Sequence, residues 1–278
     1  MAIFLMMAGA SAILVPLIEQ TIEITQGEAE YAELTMQYSA ANEEAITLVQ
    51  DIMPVLYAEE ETAEPIIATN EQTPPSNVPS KNTTPTRTGN TGIDFPALQA
   101  VNKDCVAWLK IPGTKIDYPV ALTDNVDHYL HHTFTGKKNK VGTLFSLGKT
   151  DYKTPSKNIA VYGHNISGNG QNMFQPLLSY KKESFYLKHN TIRFDTIYQS
   201  GTYTVFAVIN MDKSEWDSSA AVFASDEAFL EYVNRAKSQA LYETGVEVKA
   251  SDYILTLITC DRSYIPVDGR LVVMAVKQ

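Results

Sequence analysis

The C-terminal two-thirds of the chain has the hydrophobic pattern of short strands. Five apolar runs rich in β-branched residues, each bounded by turn-forming residues, are NIAVYG, TIRFDTI, TYTVFAVI, YILTLIT and RLVVMAV, starting at positions 158, 191, 202, 253 and 270. Short runs of this kind, separated by Gly, Asn, Asp or Pro, are typical of strands in a β-barrel or β-sandwich. The pattern therefore predicts a mostly β domain over residues 93–278.

One segment of this β-rich region has a helical pattern instead. In SDEAFLEYVNRAKSQALYETG, Ser225 is a suitable N-cap, and two acidic residues follow it where the helix dipole favours them. One face at helical spacing is apolar and consists of Phe229, Val233, Ala236 and Ala240. We predict a helix over residues 225–241, with Gly245 as the stop signal after it.

The N-terminal third divides into three segments. Residues 1–18 are apolar and uncharged, which predicts a membrane anchor; a cleaved signal peptide is the alternative, because AGASA offers small residues. Residues 19–57 are acidic with apolar positions at helical spacing, which predicts a juxtamembrane helical stalk. Residues 58–92 lose this periodicity and contain five prolines among Thr, Asn and Ser, as in an extended linker.

The charge follows the same division. The formal net charge is −10, and the first 80 residues hold 13 acidic and no basic side chains. Residues 81–278 hold 19 acidic and 22 basic side chains, without a dense basic stripe. The β-rich region is therefore close to neutral, and its charge does not indicate a nucleic-acid partner.

The two cysteines raise the question of catalysis. Cys105 and Cys260 allow one disulfide by number but no disulfide framework. Cys260 ends the run YILTLITC, where alternation places it on one face with Ile254, Thr256 and Ile258. A cysteine at this position is either a buried packing residue or a nucleophile that a nearby cation or histidine activates.

A histidine and an arginine occupy places from which they could activate this thiol. His164 follows NIAVYG and precedes a Gly- and Asn-rich loop, and loops at strand ends often carry functional side chains. Arg270 opens the last strand-like run, so it faces Cys260 if this run pairs antiparallel with residues 253–260. A guanidinium there stabilises a thiolate or a developing oxyanion. The alternatives are a structural histidine and a surface ion pair.

A cluster of three further histidines could suggest a metal site, but the pattern is incomplete. His128, His131 and His132 lie in NVDHYLHHTF, but this HxxHH pattern lacks a clear set of additional ligands. We therefore predict no metal and no other cofactor.

Together these segments resemble the class B sortases, cysteine transpeptidases of Gram-positive bacteria. TLITC is similar to their TLxTC signature, VYGHN to the segment of the catalytic histidine, and GRLVV to the strand of the catalytic arginine. Three further segments extend the resemblance over most of residues 94–278: WLKIPGTKIDYPV, YLHHTFTGKKNKVGTLF and YGHNISGNGQNMFQPLLSY. The resemblance implies a closed β-barrel of about eight strands, an N-terminal helical segment, and a helix between the sixth and seventh strands.

The resemblance also implies an activity and a location. Cys260 would cleave a Pro-x-Thr sorting signal after its threonine, near the C-terminus of a secreted surface protein, and form a thioacyl intermediate. An amine of the peptidoglycan precursor or cross-bridge would then accept the protein. His164 would act as general acid and base, and Arg270 would stabilise the oxyanion or position the substrate. The catalytic domain would lie on the extracellular side of a single-pass membrane anchor.

The matched segments further imply a substrate groove, although the chain departs from the family pattern in two places. The implied substrate-binding residues are Tyr162, Thr259, Asn125 and Leu130. Many class B enzymes have serine where this chain has Ile258, and glutamate where it has Asp261. Cys105 lies outside the matching catalytic motifs, and we expect it to be buried.

Three other functions remain open at this point. The same cysteine and histidine would serve a hydrolytic cysteine peptidase, and a pilin-polymerising sortase would use a substrate lysine as the amine. A non-enzymatic surface adhesin would share the anchor, the linker and the β-rich head. It would leave the combination of His164, Cys260 and Arg270 unexplained.

Overall fold

The structure, a computed structural model, describes residues 2–38, 92–166, 172–265 and 267–278, with side chains described from residue 16 onward. The predicted linker at residues 58–92 lies outside these ranges except for its last residue. The part of the predicted stalk that follows residue 38 also lies outside them. The domain boundaries that depend on these segments stay predictions.

The described residues form a helix at the N-terminal end followed by a β-rich body. The helices are α1 (Ala2–Tyr38), α2 (Phe95–Val101), α3 (Val126–His131), α4 (Glu183–Tyr186) and α5 (Asp226–Ser238), and a 3-10 helix covers Gln175–Lys181. The strands are β1 (Cys105–Lys110), β2 (Asp117–Thr123), β3 (Leu144–Leu147), β4 (Asn158–Tyr162), β5 (Thr191–Thr196), β6 (Thr202–Asp212), β7 (Ile254–Cys260) and β8 (Gly269–Lys277).

The eight strands close into a barrel in the order β1-β2-β3-β4-β7-β8-β6-β5, and β5 pairs back to β1. The β2–β3 and β4–β7 pairs are parallel, and the other neighbours are antiparallel. The predicted barrel is confirmed, as are the N-terminal helix and the helix between the sixth and seventh strands.

Strand β7 is buried on both faces, which explains its nearly continuous apolar sequence. Leu255 and Leu257 belong to the main core, whereas Ile254 and Ile258 belong to a second apolar cluster with Phe229 of α5. Because side chains alternate along a strand, the face that the sequence assigns to the cysteine is the face that α5 covers. Cys260 lies on this same face of the strand, at the end of β7.

Helix α5 begins as predicted but ends earlier. The hydroxyl of Ser225 accepts a hydrogen bond from Ala228 N at 3.2 Å, as an N-cap does. The helix ends at Ser238, seven residues before Gly245, so Gly245 is not its stop signal. Just after the helix, Leu241 N donates to Val208 O at 2.8 Å, which ties the chain to β6.

Helix α1 packs against the barrel with its C-terminal half. Tyr31, Leu34 and Tyr38 are buried there, and a Cβ at Gly27 would lie only 2.8 Å from Val141 Cγ2. Residues up to 38 of the predicted stalk therefore contact the barrel. Among the helices in the described ranges, none is long and apolar enough to cross a membrane. The membrane anchor at residues 1–18 stays a prediction.

Candidate active site

The end of the β7–β8 pair brings the candidate nucleophile next to the candidate cation. Cys260 and Arg270 are direct partners in the antiparallel register, as the sequence predicts. The Cys260 thiol is free and half-buried. Arg270 Nη1 donates to Gly269 O at 2.9 Å and to Val267 O at 3.3 Å, which directs the guanidinium towards the loop between β7 and β8.

The histidine loop is tied to the same end of β7. Gly163 N donates to Ile258 O at 3.2 Å, and the Thr259 hydroxyl donates to Gly163 O at 2.8 Å. On the other side of His164, the Asn165 amide donates to Cys260 O at 2.9 Å. Both neighbours of His164 are therefore anchored to the strand that carries the thiol. The parallel pairing of β4 with β7 makes this possible, because parallel strands end at the same edge.

The His164 imidazole is oriented by a backbone carbonyl. Its Nε2 lies 2.8 Å from Leu130 O, and since a carbonyl only accepts, Nε2 carries the proton. In the neutral ring Nδ1 is then free to accept a proton. Burial lowers the pKa of His164 below its ordinary value, against the hydrogen bond to Leu130 O, and the charges of His131 and Arg262 lower it further. The neutral ring is therefore favoured near pH 7.

Three of the four predicted substrate-binding residues lie around this centre. Leu130 supplies the carbonyl that holds the imidazole. Tyr162 stacks on Phe145 with ring centroids 5.6 Å apart, and it pairs with Ile258 across β4 and β7. Burial raises the pKa of the Tyr162 hydroxyl. Thr259 is buried, and its hydroxyl is engaged with the histidine loop.

The fourth predicted residue lies further out. Asn125 is exposed and is the N-cap of α3, where its Oδ1 accepts from His128 N at 3.2 Å. The side chain therefore has a structural partner at the start of the helix that leads to Leu130. The assignment of Asn125 to substrate binding stays a prediction.

The three clustered histidines take part in local packing. His128 and His132 stack with centroids 4.3 Å apart, and His131 Nδ1 lies 2.9 Å from Asp127 O. Within the described ranges, no group of three or more His, Cys, Asp or Glu side chains is placed to hold a metal ion. Cys105 is fully buried and free, as expected, and burial raises the pKa of its thiol to about 12.

The sequence analysis missed an ion pair beside Cys260. Asp261, directly after Cys260, has a side chain only 1% exposed and pairs with Lys181 at the end of the 3-10 helix. Its Oδ1 also accepts from Ser263 N at 3.1 Å and from Ser263 Oγ at 2.6 Å. Burial raises the pKa of Asp261, but the hydrogen bonds and the Lys181 charge outweigh it, so the pKa stays below its ordinary value. The sequence signal for this site was that the chain has aspartate at position 261, where many class B enzymes have glutamate.

Comparison with known proteins agrees with this arrangement. Residues 109–278 match the family described as the sortase domain. The chain is 31% identical over 181 residues to sortase B of Staphylococcus aureus, a match that covers 65% of this chain and 73% of the relative. A sortase B–substrate complex of S. aureus superposes with a TM-score of 0.61 at 30% identity, covering 66% of this chain and 84% of that one. A sortase B complexed with triglycine gives the same TM-score and identity, with 66% and 85% covered.

The family match spans more than half of the chain, and the fold is that of the matched structures. The chain therefore belongs to the sortase family of transpeptidases. Its relatives and structural neighbours are sortase B proteins, which places it in class B.

Proposed function

We propose that the protein cleaves a Pro-x-Thr-type sorting signal after its threonine and transfers the released acyl group to an amine of the cell wall. The observation that carries this proposal is the convergence of three groups at one end of β7. Cys260 faces Arg270 across the strand pair, and Asn165, next to His164, donates to Cys260 O. A thiol, an imidazole and a guanidinium held this closely by backbone are suited to acyl transfer.

In the first half of the proposed reaction, Cys260 transfers its thiol proton to neutral His164, and Sγ attacks the carbonyl carbon of the threonine. The carbonyl π electrons move to oxygen, and Arg270 stabilises this oxyanion. As the tetrahedral intermediate collapses, the C–N bond breaks and protonated His164 supplies the proton to the leaving amine. A thioester on Cys260 and a new N-terminus result.

In the second half the same groups work in reverse. The incoming amine attacks the thioester, and neutral His164 takes its proton. The C–S bond breaks, His164 gives the proton to Sγ, and Cys260 recovers its thiol while a new amide forms. The lowered pKa of His164 favours the neutral base that this step needs. The thioester keeps the acyl group activated until the amine arrives.

The residues around this centre define the proposed groove. Tyr162 would line the groove, and Asn125 and Leu130 would contact the early residues of the sorting signal. Thr259 would act through its position beside Cys260, because its hydroxyl already donates to Gly163 O.

We further propose the partners and location that this activity requires. The donors are secreted surface proteins with a C-terminal sorting signal, and the acceptor is an amine of peptidoglycan or its precursor. The matched sortase B structures with a substrate and with triglycine support a peptide donor and a glycine-like amine. The catalytic domain would lie outside the cell membrane, attached through the uncharged residues 1–18. Degradation by a protease added to intact cells tests the location.

Mass spectrometry of the full-length protein with a panel of Pro-x-Thr peptides tests the reaction, with triglycine or a diaminopimelate-type amine as acceptor. We expect cleavage after threonine, a product joined to one acceptor, and no reaction with Cys260→Ala. Cleavage without joining would favour the hydrolytic peptidase, and joining only to a substrate lysine would favour the pilin polymerase. Failure to cleave any peptide in the panel would favour the adhesin.

A further inference from the structure

Two segments outside the barrel strands hold His164, and both are in contact with the N-terminal helix. The first is the loop before β3, which follows Leu130, the residue whose carbonyl binds the His164 ring. The second is residues 172–174, where Phe174 N donates to His164 O at 2.9 Å. The orientation of the imidazole therefore depends on how firmly these two segments are fixed.

Tyr31 of α1 fixes the first segment. Its side chain is 3% exposed, and its hydroxyl donates to Gly142 O at 2.7 Å. The same hydroxyl accepts from Phe134 N at 3.0 Å and lies 3.0 Å from Thr143 Oγ1. The Tyr31 hydroxyl thus links the helix to two backbone groups and one side chain of this loop.

Gly142 lies directly against the catalytic histidine. A Cβ on it would be 3.1 Å from His164 Cδ2, 3.1 Å from Leu130 O and 2.7 Å from Tyr129 O. Its φ of +66° is in the region that favours glycine. Because one added carbon would already crowd the ring and this carbonyl, a shift of the Gly142 peptide towards them would displace the imidazole or the Leu130 carbonyl that binds it.

Glu28 of α1 reaches the second segment. Its carboxylate accepts a hydrogen bond from the Asn172 amide, and Asn172 is 5% exposed. The next residue, Met173, is fully buried and has a φ of 48°, a conformation that a methionine keeps only when its surroundings hold it. Met173 also forms an isolated bridge with Asn165, next to the histidine.

We propose that Tyr31 and Glu28 are positioning residues for His164, so that the docked N-terminal helix sets the geometry of proton transfer in the active site. This inference rests on the proposed role of His164 as general acid and base. Tyr31 acts through the Gly142 and Phe134 backbone, and Glu28 acts through Asn172. Both side chains act on His164 through other residues, so neither is a catalytic residue.

The test compares Tyr31→Phe and Glu28→Ala with Thr35→Val in the full-length protein. Thr35 is the matched control because it lies on the same helix and donates to Asp117 O of β2 at 2.9 Å. For the sorting peptide, we expect Tyr31→Phe to lower kcat about five- to tenfold, the equivalent of one or two lost hydrogen bonds, with KM within about twofold. Thermal unfolding confirms that each variant is folded.

A second readout does not depend on finding a substrate. In ¹⁵N-histidine NMR spectra, His164, assigned by comparison with His164→Gln, should be the Nε2–H tautomer in the wild type. Tyr31→Phe and Glu28→Ala should shift its signal towards a tautomer mixture, whereas Thr35→Val should not.

The proposal would be overturned if the His164 signal were unchanged in both Tyr31→Phe and Glu28→Ala. An equal change of this signal in Thr35→Val would also overturn it. If no peptide reacts with the wild type, the proposed function fails, while the NMR comparison still decides the role of Tyr31 and Glu28.

Discussion

Replacing Lys181 with methionine removes the cation that pairs with the buried carboxylate of Asp261, next to Cys260. Asp261 is 1% exposed and Lys181 is 27% exposed, so solvent screens this pair weakly. Removing one partner of a buried ion pair typically costs about 3–5 kcal/mol, because a charge is left without compensation. The two hydrogen bonds from Ser263 remain, so we expect a loss near the lower limit, about 3 kcal/mol.

This loss is measurable as a change in thermal unfolding. For a domain of this size, about 3 kcal/mol lowers Tm by roughly 6–12 °C. The matched control is Lys182→Met, because Lys182 is the adjacent exposed lysine, and its replacement should change stability by less than about 0.5 kcal/mol. Adding Asp261→Asn to Lys181→Met should recover part of the loss, since no buried charge then remains.

The stabilisation from the Lys181–Asp261 pair should depend on pH. The folded-state pKa of Asp261 is depressed, so its stabilising contribution is present above the ordinary carboxyl pKa of about 4 and is lost as the pH falls through the folded-state value. The difference between wild type and Lys181→Met should therefore be largest at neutral pH and should shrink in acid. A Lys181→Met protein as stable as Lys182→Met at neutral pH would show that the Lys181–Asp261 pair does not stabilise the fold.

Three further predictions concern the site and its surroundings. Arg270→Ala should lower the rate of peptide cleavage about 10²–10³-fold in a steady-state assay, and an unchanged rate would remove Arg270 from oxyanion stabilisation. Gly163→Ala should destabilise the fold by about 1–3 kcal/mol in denaturant unfolding, because its Cβ would overlap Leu144 and lie 2.8 Å from Phe174 Cδ2; wild-type stability would contradict this. Iodoacetamide at mildly alkaline pH should modify half-buried Cys260 and spare Cys105, as peptide mass mapping would show; labelling of both in the folded protein would contradict the burial of Cys105.

The sequence was sufficient to predict strands with a strong apolar pattern and contacts between residues that are near each other in the chain. The pairing of Cys260 with Arg270 follows from two strongly patterned strands joined by one loop. The three N-terminal strands were less visible. Strand β3 has only four residues, β2 contains Pro119, and their parallel pairing joins segments that no short turn connects.

The contacts that the sequence analysis missed join distant segments. Lys181 and Asp261 are 80 residues apart, and no local pattern indicates that they meet. The sequence analysis assigned the acidic residues of α1 to a juxtamembrane stalk, yet Glu30 pairs with Lys137 at 3.3 Å and Glu23 with Lys140 at 3.6 Å. An acidic helix surface can be solvated or matched to a basic loop, and only the fold distinguishes the two.

In the proposed mechanism, Cys260 becomes acylated by the sorting signal and is released by an amine. Rapid-quench mass spectrometry of the full-length protein with a reactive Pro-x-Thr peptide tests it directly, because proteolytic mapping distinguishes Cys260 from Cys105. We predict a thioester on Cys260 that accumulates without an amine and disappears on addition of triglycine as the joined product forms. Turnover of the peptide without any adduct on Cys260, or at the same rate in Cys260→Ala, would contradict the mechanism.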